Sequence, residues 1–113
     1  MKNLFLAVMI GLFTTGAFAH SKVSKTVPAN GAEISVVPQD IEFTFAKKMR
    51  LTKVDLTHLD HPTVALDLSA IKGFAKDFTV PLQGMGDGTY RIEWRGLGTD
   101  GHAMKGEFTF EVN

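Results

Sequence analysis

Apolar and polar residues alternate in several short segments of the chain, and this period of two constrains the fold more than any other feature. Ile41, Phe43 and Phe45 alternate with polar neighbours, and residues 90–95 and 107–112 repeat the pattern. Such alternation is typical of antiparallel strands that pack on one face and meet water on the other. Helical periodicity is absent over any length typical of a helix, and we expect a single helical turn at most, within residues 69–76.

Turn-forming residues separate these segments. Pro, Gly, Asn and Asp cluster at five places in the chain: residues 28–31, 38–40, 60–62, 84–88 and 99–101. Clusters of this kind favour tight turns between strands. About seven short strands therefore follow one another, and we predict an all-β fold. The expected architecture is a Greek-key β-sandwich or barrel of the immunoglobulin or cupredoxin-like kind.

Composition excludes several classes of function. The chain of 113 residues has 12 Lys and Arg against 12 Asp and Glu, and it has no cysteine. A balanced charge argues against a nucleic-acid-binding protein and against a polybasic membrane-surface protein. Without cysteine there is no disulfide scaffold, zinc–thiolate site, iron–sulfur cluster or cysteine nucleophile. The length allows one folded domain.

The first residues have the pattern of a secretory signal peptide. Lys2 precedes an apolar run, Leu4–Phe13, that is shorter than the roughly 20 residues of a membrane-spanning helix. Ala17–Ala19 is an A-x-A cleavage signal. We predict a signal peptide at residues 1–19 and a mature domain at residues 20–113, exported and without a membrane span. The alternative is an N-terminal anchor that is never cut.

Cleavage after Ala19 makes His20 the first residue of the mature chain. A free N-terminal histidine chelates one ion through its α-amine and its imidazole Nδ1. An α-amine has a pKa of about 7.7–8.0, so a strongly binding metal displaces its proton near neutral pH. Cu(II) is the ion best suited to nitrogen ligands in a planar arrangement. The alternative is that export leaves a histidine there by chance.

A second candidate for metal binding lies in the segment Thr99-Asp100-Gly101-His102. Residues i and i+2 share a face of an extended segment, so the carboxylate of Asp100 and the imidazole of His102 can point the same way. Alone, the motif fits an ordinary Asp-Gly turn beside a surface histidine better than it fits a metal site. Together with His20 the donors become an amine, two imidazoles and a carboxylate, a set that suits a tetragonal Cu(II) site.

The chain resembles the CopC family of periplasmic copper-binding proteins along essentially its whole length. The matching pieces are His20 after the A-x-A signal, Pro28–Ala32, Ile41–Phe45, Gly88–Trp94, Thr99–His102 and Gly106–Val112. The resemblance implies a Greek-key β-barrel or sandwich that is not an enzyme. It also implies one Cu(II) per chain, held by His20, Asp100 and His102. Gly98 departs from the serine that the family pattern commonly has there.

Many family members also have a methionine-rich loop that binds Cu(I), and this chain departs from that pattern. The corresponding region, Leu56–Asp67, contains no methionine, while Met49, Met85 and Met104 are scattered. Because Cu(I) needs soft sulfur ligands, we expect a member that binds only Cu(II).

Two further histidines, His58 and His61, lie in this region. They are either a second metal site or part of a polar hairpin tip. Residues i and i+3 of a straight strand point to opposite faces, which favours the hairpin tip.

The resemblance implies a periplasmic protein for copper homeostasis or resistance that holds Cu(II) and delivers it to a partner. The expected partner is a CopD-like copper protein of the inner membrane, and we expect a monomer that binds no nucleic acid. One alternative is a small copper-dependent oxidase or monooxygenase, since polysaccharide monooxygenases also use an N-terminal histidine. The other is a β-sandwich interaction module without metal.

Overall fold

The architecture of residues 23–113 comes from a computed structural model. These residues form seven strands: β1 (Val23–Val27), β2 (Ala32–Ile34), β3 (Asp40–His58), β4 (Val64–Ala65), β5 (Ala75–Pro81), β6 (Gly88–Gly98) and β7 (Ala103–Val112). No helix occurs in this part of the chain. The predicted all-β fold of about seven strands is confirmed.

Strand β3 joins the two halves of the domain. Its first half, residues 40–45, pairs antiparallel with β1 and β5, and its second half, residues 49–58, pairs antiparallel with β6. The register against β5 shifts between Thr44 and Met49. A bulged strand bends and twists more strongly than a regular one. One strand therefore serves both halves, and the sheet order β1-β3-β6-β7-β2 curls around a single core.

Strand register defines the two ends of the domain. Met49, just after the β3 bulge, pairs with Gly98 of β6 and with Ala75 of β5, and Val23 pairs with Phe45. The β3 bulge, the starts of β1 and β5 and the β6–β7 turn therefore share one end, which we name the hairpin end. At the opposite end, His58 pairs with Tyr90, and β2 runs parallel to the last residues of β7.

The core contains the inward residues of the alternating segments. Its fully buried side chains include Ile41, Phe43, Val54, Leu56, Val80, Tyr90, Ile92, Phe110 and Val112. Aromatic rings meet edge to face at its centre: Phe45 and Trp94 have centroids 5.1 Å apart at 72°. Burying one such side chain contributes about 1.5–3 kcal/mol. The alternation therefore predicts the inward face correctly on β3, β6 and β7.

The single helical turn that the sequence allowed within residues 69–76 does not form. Ile71 N donates to Leu68 O at 2.9 Å in a turn, and the chain then enters β5 at Ala75. Phe78 and Val80 are buried against β3, so cross-strand pairing and burial decide the conformation there. The alternation of Val64, Leu66 and Leu68 also yields only the two-residue strand β4. Asp67 Oδ1 accepts a hydrogen bond from Ser69 N at 2.9 Å, and such a turn competes with strand pairing.

Candidate metal centre

A tight turn at the hairpin end holds the Asp-Gly-His motif. Gly98 N donates to His102 O, and Gly101 N donates to Gly98 O, both at 2.9 Å. Gly101 has a φ of +85°, in the left-handed region that favours glycine. Two backbone hydrogen bonds and one glycine therefore fix the conformation between β6 and β7.

Asp100 and His102 contact each other twice within this turn. Asp100 Oδ1 accepts the backbone N–H of His102 at 3.0 Å, and Oδ2 lies 2.8 Å from His102 Nδ1. Because an ionised carboxylate only accepts, Nδ1 carries the ring proton. The lone pair of the neutral imidazole is then on Nε2. A carboxylate that fixes the tautomer and orientation of a histidine in this way is typical of metal-binding histidines.

The electrostatics of the turn suit a cation. The backbone N–H of His102 and, next, its imidazole stabilise the ionised form of Asp100 and hold the pKa of that carboxyl below its usual range. A carboxylate has about four lone-pair sites, so two remain after the bonds to His102. Both side chains are largely exposed, by 65% for Asp100 and 79% for His102, so a metal ion can reach them.

The turn supplies two donor groups, which is fewer than a stable site needs. Within residues 23–113, no three His, Cys, Asp or Glu side chains gather closely enough to hold a metal ion. The third predicted ligand, His20, lies outside the residues that the structure describes. Asp100 and His102 fit Cu(II) as an oxygen and a borderline nitrogen donor, and both come from the predicted motif.

Gly98 has a role in this turn that sequence reasoning missed. A Cβ at position 98 would lie 2.8 Å from Met104 Cε and 3.0 Å from Asp100 Oδ1. Met104 is partly buried against the core, and its methyl group and the Asp100 carboxylate both border the space beside Gly98. The absence of a side chain at Gly98 therefore makes room for both neighbours, and a serine there would have to displace one of them.

The other two histidines, at the opposite end, are arranged differently. His58 is 2% exposed, and its Nε2 donates to the carbonyl oxygen of Asp87 at 2.8 Å. His61 Nδ1 donates to His58 O at 3.0 Å. The two rings stack with centroids 5.4 Å apart and 11° between their planes. Because ring lone pairs lie in the ring plane, nearly parallel stacked rings do not direct them at one ion.

The burial of His58 was not recognised in the sequence, although the signal was there. Val54 and Leu56 point inward, and the same alternation carries on to His58. Its ring lies 4.6 Å from that of Tyr90, and its Nδ1 has no hydrogen-bond partner among the described residues. His58 is therefore a core residue at the end of β3, and the hairpin-tip interpretation fits His61, which is exposed.

The fold and this turn define a small β-sandwich domain with an exposed carboxylate–imidazole pair at one end. Residues 23–113 match the sequence model of the CopC domain, and the chain therefore belongs to the CopC family. It is 29% identical to copper resistance protein C of Pseudomonas syringae pv. tomato over 120 residues, which cover 97% of this chain and 92% of that protein. It is 28% identical to protein YobA of Escherichia coli strain K12 over 105 residues, 89% of this chain and 85% of that protein.

Solved structures show the same fold. CopC from Methylosinus trichosporium OB3b superposes with a TM-score of 0.69 at 20% identity, covering 83% of this chain and 94% of that one. PcoC, a methionine-rich copper resistance protein from Escherichia coli, superposes with a TM-score of 0.58 at 24% identity, covering 84% and 100%. The predicted family and the β-sandwich fold are thus confirmed. Among residues 23–113, no helix has the length and apolar character needed to cross a membrane.

Proposed function

We propose that this protein is a periplasmic Cu(II)-binding protein of copper homeostasis or resistance, which holds one Cu(II) and passes it to a partner. Membership of the CopC family and relatives named for copper resistance support a copper-related function. The observation that carries the proposal is the exposed Asp100–His102 pair, in which one carboxylate fixes the imidazole and leaves Nε2 free.

The proposed ligands are the α-amine and imidazole of His20, the carboxylate of Asp100 and Nε2 of His102. This set of ligands is supported by the position of β1, which begins at the same end of the domain as the Asp100–His102 turn. Val23 pairs with Phe45, at the hairpin end, and three extended residues reach at most about 10 Å. A chain that begins three residues before Val23 is therefore short enough to stay at that end. The ligands would provide charge compensation and nitrogen donors that Cu(II) prefers.

The lack of methionine in the region 56–67 supports a site for Cu(II) without sulfur ligands, although Met104 packs close to the Asp100–His102 turn. Met49 is buried, and Met85 and Met104 pack against the core. None of the three lies in the region 56–67, which corresponds to the methionine-rich loop of many family members. We therefore propose that sulfur does not bind the metal and that the copper spectrum lacks intense thiolate absorption, since the chain has no cysteine.

A competitive chelator titration tests the proposal on three samples of the protein: one that starts at His20, one with Gly-Ser before His20, and the uncleaved precursor. The sample that starts at His20 should bind one Cu(II) far more tightly than the other two. Acylation turns the basic amine into an amide, which binds Cu(II) only after a costly deprotonation. Equal affinity in all three samples would show that the free amine is not a ligand.

A further inference from the structure

The exposed charges of the domain are segregated between its two ends, although the whole chain has no net charge. Strand register places three cations in one row across the sheet, Lys53–Arg95–Lys105, and three anions in the next, Asp55–Glu93–Glu107. The cationic row lies nearer the hairpin end. These two rows form the boundary between a cationic part and an anionic part of the surface.

Most other cations lie on the side of this boundary nearer the hairpin end, and most other anions lie on the opposite side. The cationic side, which we name the cationic surface, has nine exposed Lys and Arg side chains: Lys25, Lys47, Lys48, Arg50, Lys53, Lys72, Lys76, Arg95 and Lys105. Three acidic residues, Asp67, Asp77 and Asp100, share that side. Beyond the boundary, Arg91 is the single cation among the described residues, and it pairs with Glu93 and Glu107.

The cationic surface is not neutralised within the protein. Of its cations, only Lys53 at the boundary makes an ion pair within residues 23–113, with Asp55 at 3.6 Å. Residues 1–22 contain no Asp or Glu that could supply another. Lys47 and Lys48 lie on the β3 bulge, opposite Lys76 of β5. Like charges gathered in this way repel one another, so the arrangement costs stability in the isolated domain.

This surface adjoins the Asp100–His102 turn, and it opposes the binding of a free cation there. Met49, next to Lys48, pairs with Gly98, the residue at which the turn begins. Positive charges near a site for Cu(II) weaken the binding of the ion by Coulomb repulsion. The lysines therefore do not serve metal affinity. Their distribution across β3, β5, β6 and β7 instead fits a surface as wide as a protein interface.

An exposed aromatic residue lies among these cations. Phe74 is 46% exposed and directly precedes Ala75, the partner of Met49 in β5. Aromatic side chains are enriched at the centres of protein interfaces, where they are often the residues that contribute most to binding. An exposed apolar ring beside positive charges is the pattern expected for an anchor within an electrostatically steered contact.

We propose that the cationic surface, centred on Lys47, Lys48, Lys76 and Phe74, docks an acidic surface of the protein that exchanges copper with the hairpin end. This inference rests on the proposed function, because it specifies how the partner of the copper-delivery step binds. The partner approaches over β3 and β5 and reaches the Asp100–His102 turn. An acidic partner also offsets the repulsion between the lysines and the bound Cu(II). Electrostatic complementarity of this kind raises association rates and excludes partners of the same charge.

Copper transfer to synthetic acceptor peptides tests the proposal. Each acceptor has the same Gly-Gly-His head, which chelates Cu(II), followed by six Glu or six Gln residues. The loaded protein that starts at His20 should transfer copper about tenfold faster to the Glu acceptor at low salt, and high salt should remove the difference. The variant Lys47→Gln/Lys48→Gln/Lys76→Gln should lose the preference for the Glu acceptor.

A matched control changes the net charge equally at the opposite end. Val36, Gln39 and Thr63 are exposed, and the variant Val36→Glu/Gln39→Glu/Thr63→Glu also lowers the net charge by three. This control should keep the preference. Equal transfer rates to the two acceptors in the unmodified protein, or equal loss of preference in both variants, would overturn the proposal.

A measurement without copper separates failure of docking from failure of copper binding. When a Glu-rich peptide without the chelating head is added to the 15N-labelled apoprotein, amide shifts should change around Lys47, Lys48 and Phe74 and not around Asp60. This result does not depend on the proposed copper ligands. Sedimentation with phosphatidylglycerol vesicles tests a membrane instead. Vesicle binding through the same lysines without shifts from the peptide would overturn the protein-docking proposal.

Discussion

The two ends of the domain each have histidine and aspartate close together in sequence, yet only at the hairpin end does a carboxylate contact and orient an exposed imidazole. At the hairpin end, Asp100 and His102 are exposed, and the carboxylate binds Nδ1 so that Nε2 is free. At the opposite end, His58 is buried and donates Nε2 to a backbone carbonyl, while His61 stacks on it. Both ends have histidines, but His102 lies in a turn between two strands, whereas His58 lies within strand β3.

The difference shows that position relative to the strand decides the chemistry. His102 follows a glycine with positive φ in a turn that projects from the sheet, so its ring stays in solvent. His58 is the last inward residue of β3, where the alternation that builds the core continues. A histidine on the inward face packs against Tyr90, and its polar atoms must be satisfied by the fold.

The largest expected effect comes from the variant His102→Ala. Removing its imidazole should weaken Cu(II) binding by about a hundredfold or more, since loss even of groups that only support a ligand costs tenfold to a hundredfold. The exposed His61 provides the matched control, and His61→Ala should change the affinity by less than about threefold, because His61 lies at the other end of the domain. Competitive chelator titration measures the Cu(II) affinity of both variants. Equal losses of affinity would contradict a site at the hairpin end.

For the stability of the fold, the histidine at the opposite end should matter most. His58→Ala leaves a cavity beside Tyr90 and removes the hydrogen bond to Asp87 O, so the free energy of unfolding should fall by roughly 2–4 kcal/mol. His102→Ala and His61→Ala should each cost less than about 0.5 kcal/mol, as exposed residues usually do. Urea denaturation measures the three values. A His58→Ala variant as stable as His61→Ala would contradict the core role of His58.

Two glycines provide a matched pair for the two ends. Gly101 and Gly86 have φ values of +85° and +86°, and a Cβ at either would meet nothing within 4 Å. Gly101→Ala and Gly86→Ala should therefore both cost about 1–2 kcal/mol of backbone strain. Only Gly101→Ala should also weaken Cu(II) binding, by several-fold, because only Gly101 lies between the two ligands. Similar copper affinities for the two variants would show that the conformation of the turn does not matter for the site.

The smallest expected effect is on the titration of Asp100 in the copper-free protein. Two hydrogen bonds from His102 hold its pKa below the ordinary value of 3.8. A lowered pKa means that the ionised carboxylate persists as the pH falls and is lost only below the usual range. His102→Ala removes the imidazole bond and keeps the backbone N–H, so the pKa should rise only part of the way back. NMR titration of the Asp100 side-chain carbon measures the change, and an unchanged midpoint would rule out the imidazole bond.

The sequence predicted the core well because alternation and burial have the same physical cause. Each inward residue of segments 41–45, 90–94 and 108–112 is buried, as the period of two requires. The short strand β4 and the absence of a helical turn before β5 were not predictable in this way. Local preference is weak in those segments, and pairing with the distant strand β3 decides their conformation.

The candidate site was predictable in part. The motif identified Asp100 and His102, and the structure shows how the two contact each other. Two features needed the fold: the burial of His58 and the segregation of charge. A net charge of zero gave no sign of the cationic surface, because Lys47, Lys76 and Arg95 are far apart in sequence and come to the same side of the domain only through strand register.

Paramagnetic broadening by Cu(II) tests the central claim most directly, because it reports which end of the domain holds the ion. A small fraction of an equivalent of Cu(II) is added to the 15N-labelled protein that starts at His20, and amide signals are followed through the chain. Signals of residues 98–103 should disappear first, together with those around Met49 and Val23, whereas those of residues 58–61 should remain. Loss of the signals of residues 58–61 before those of the hairpin end would contradict the account.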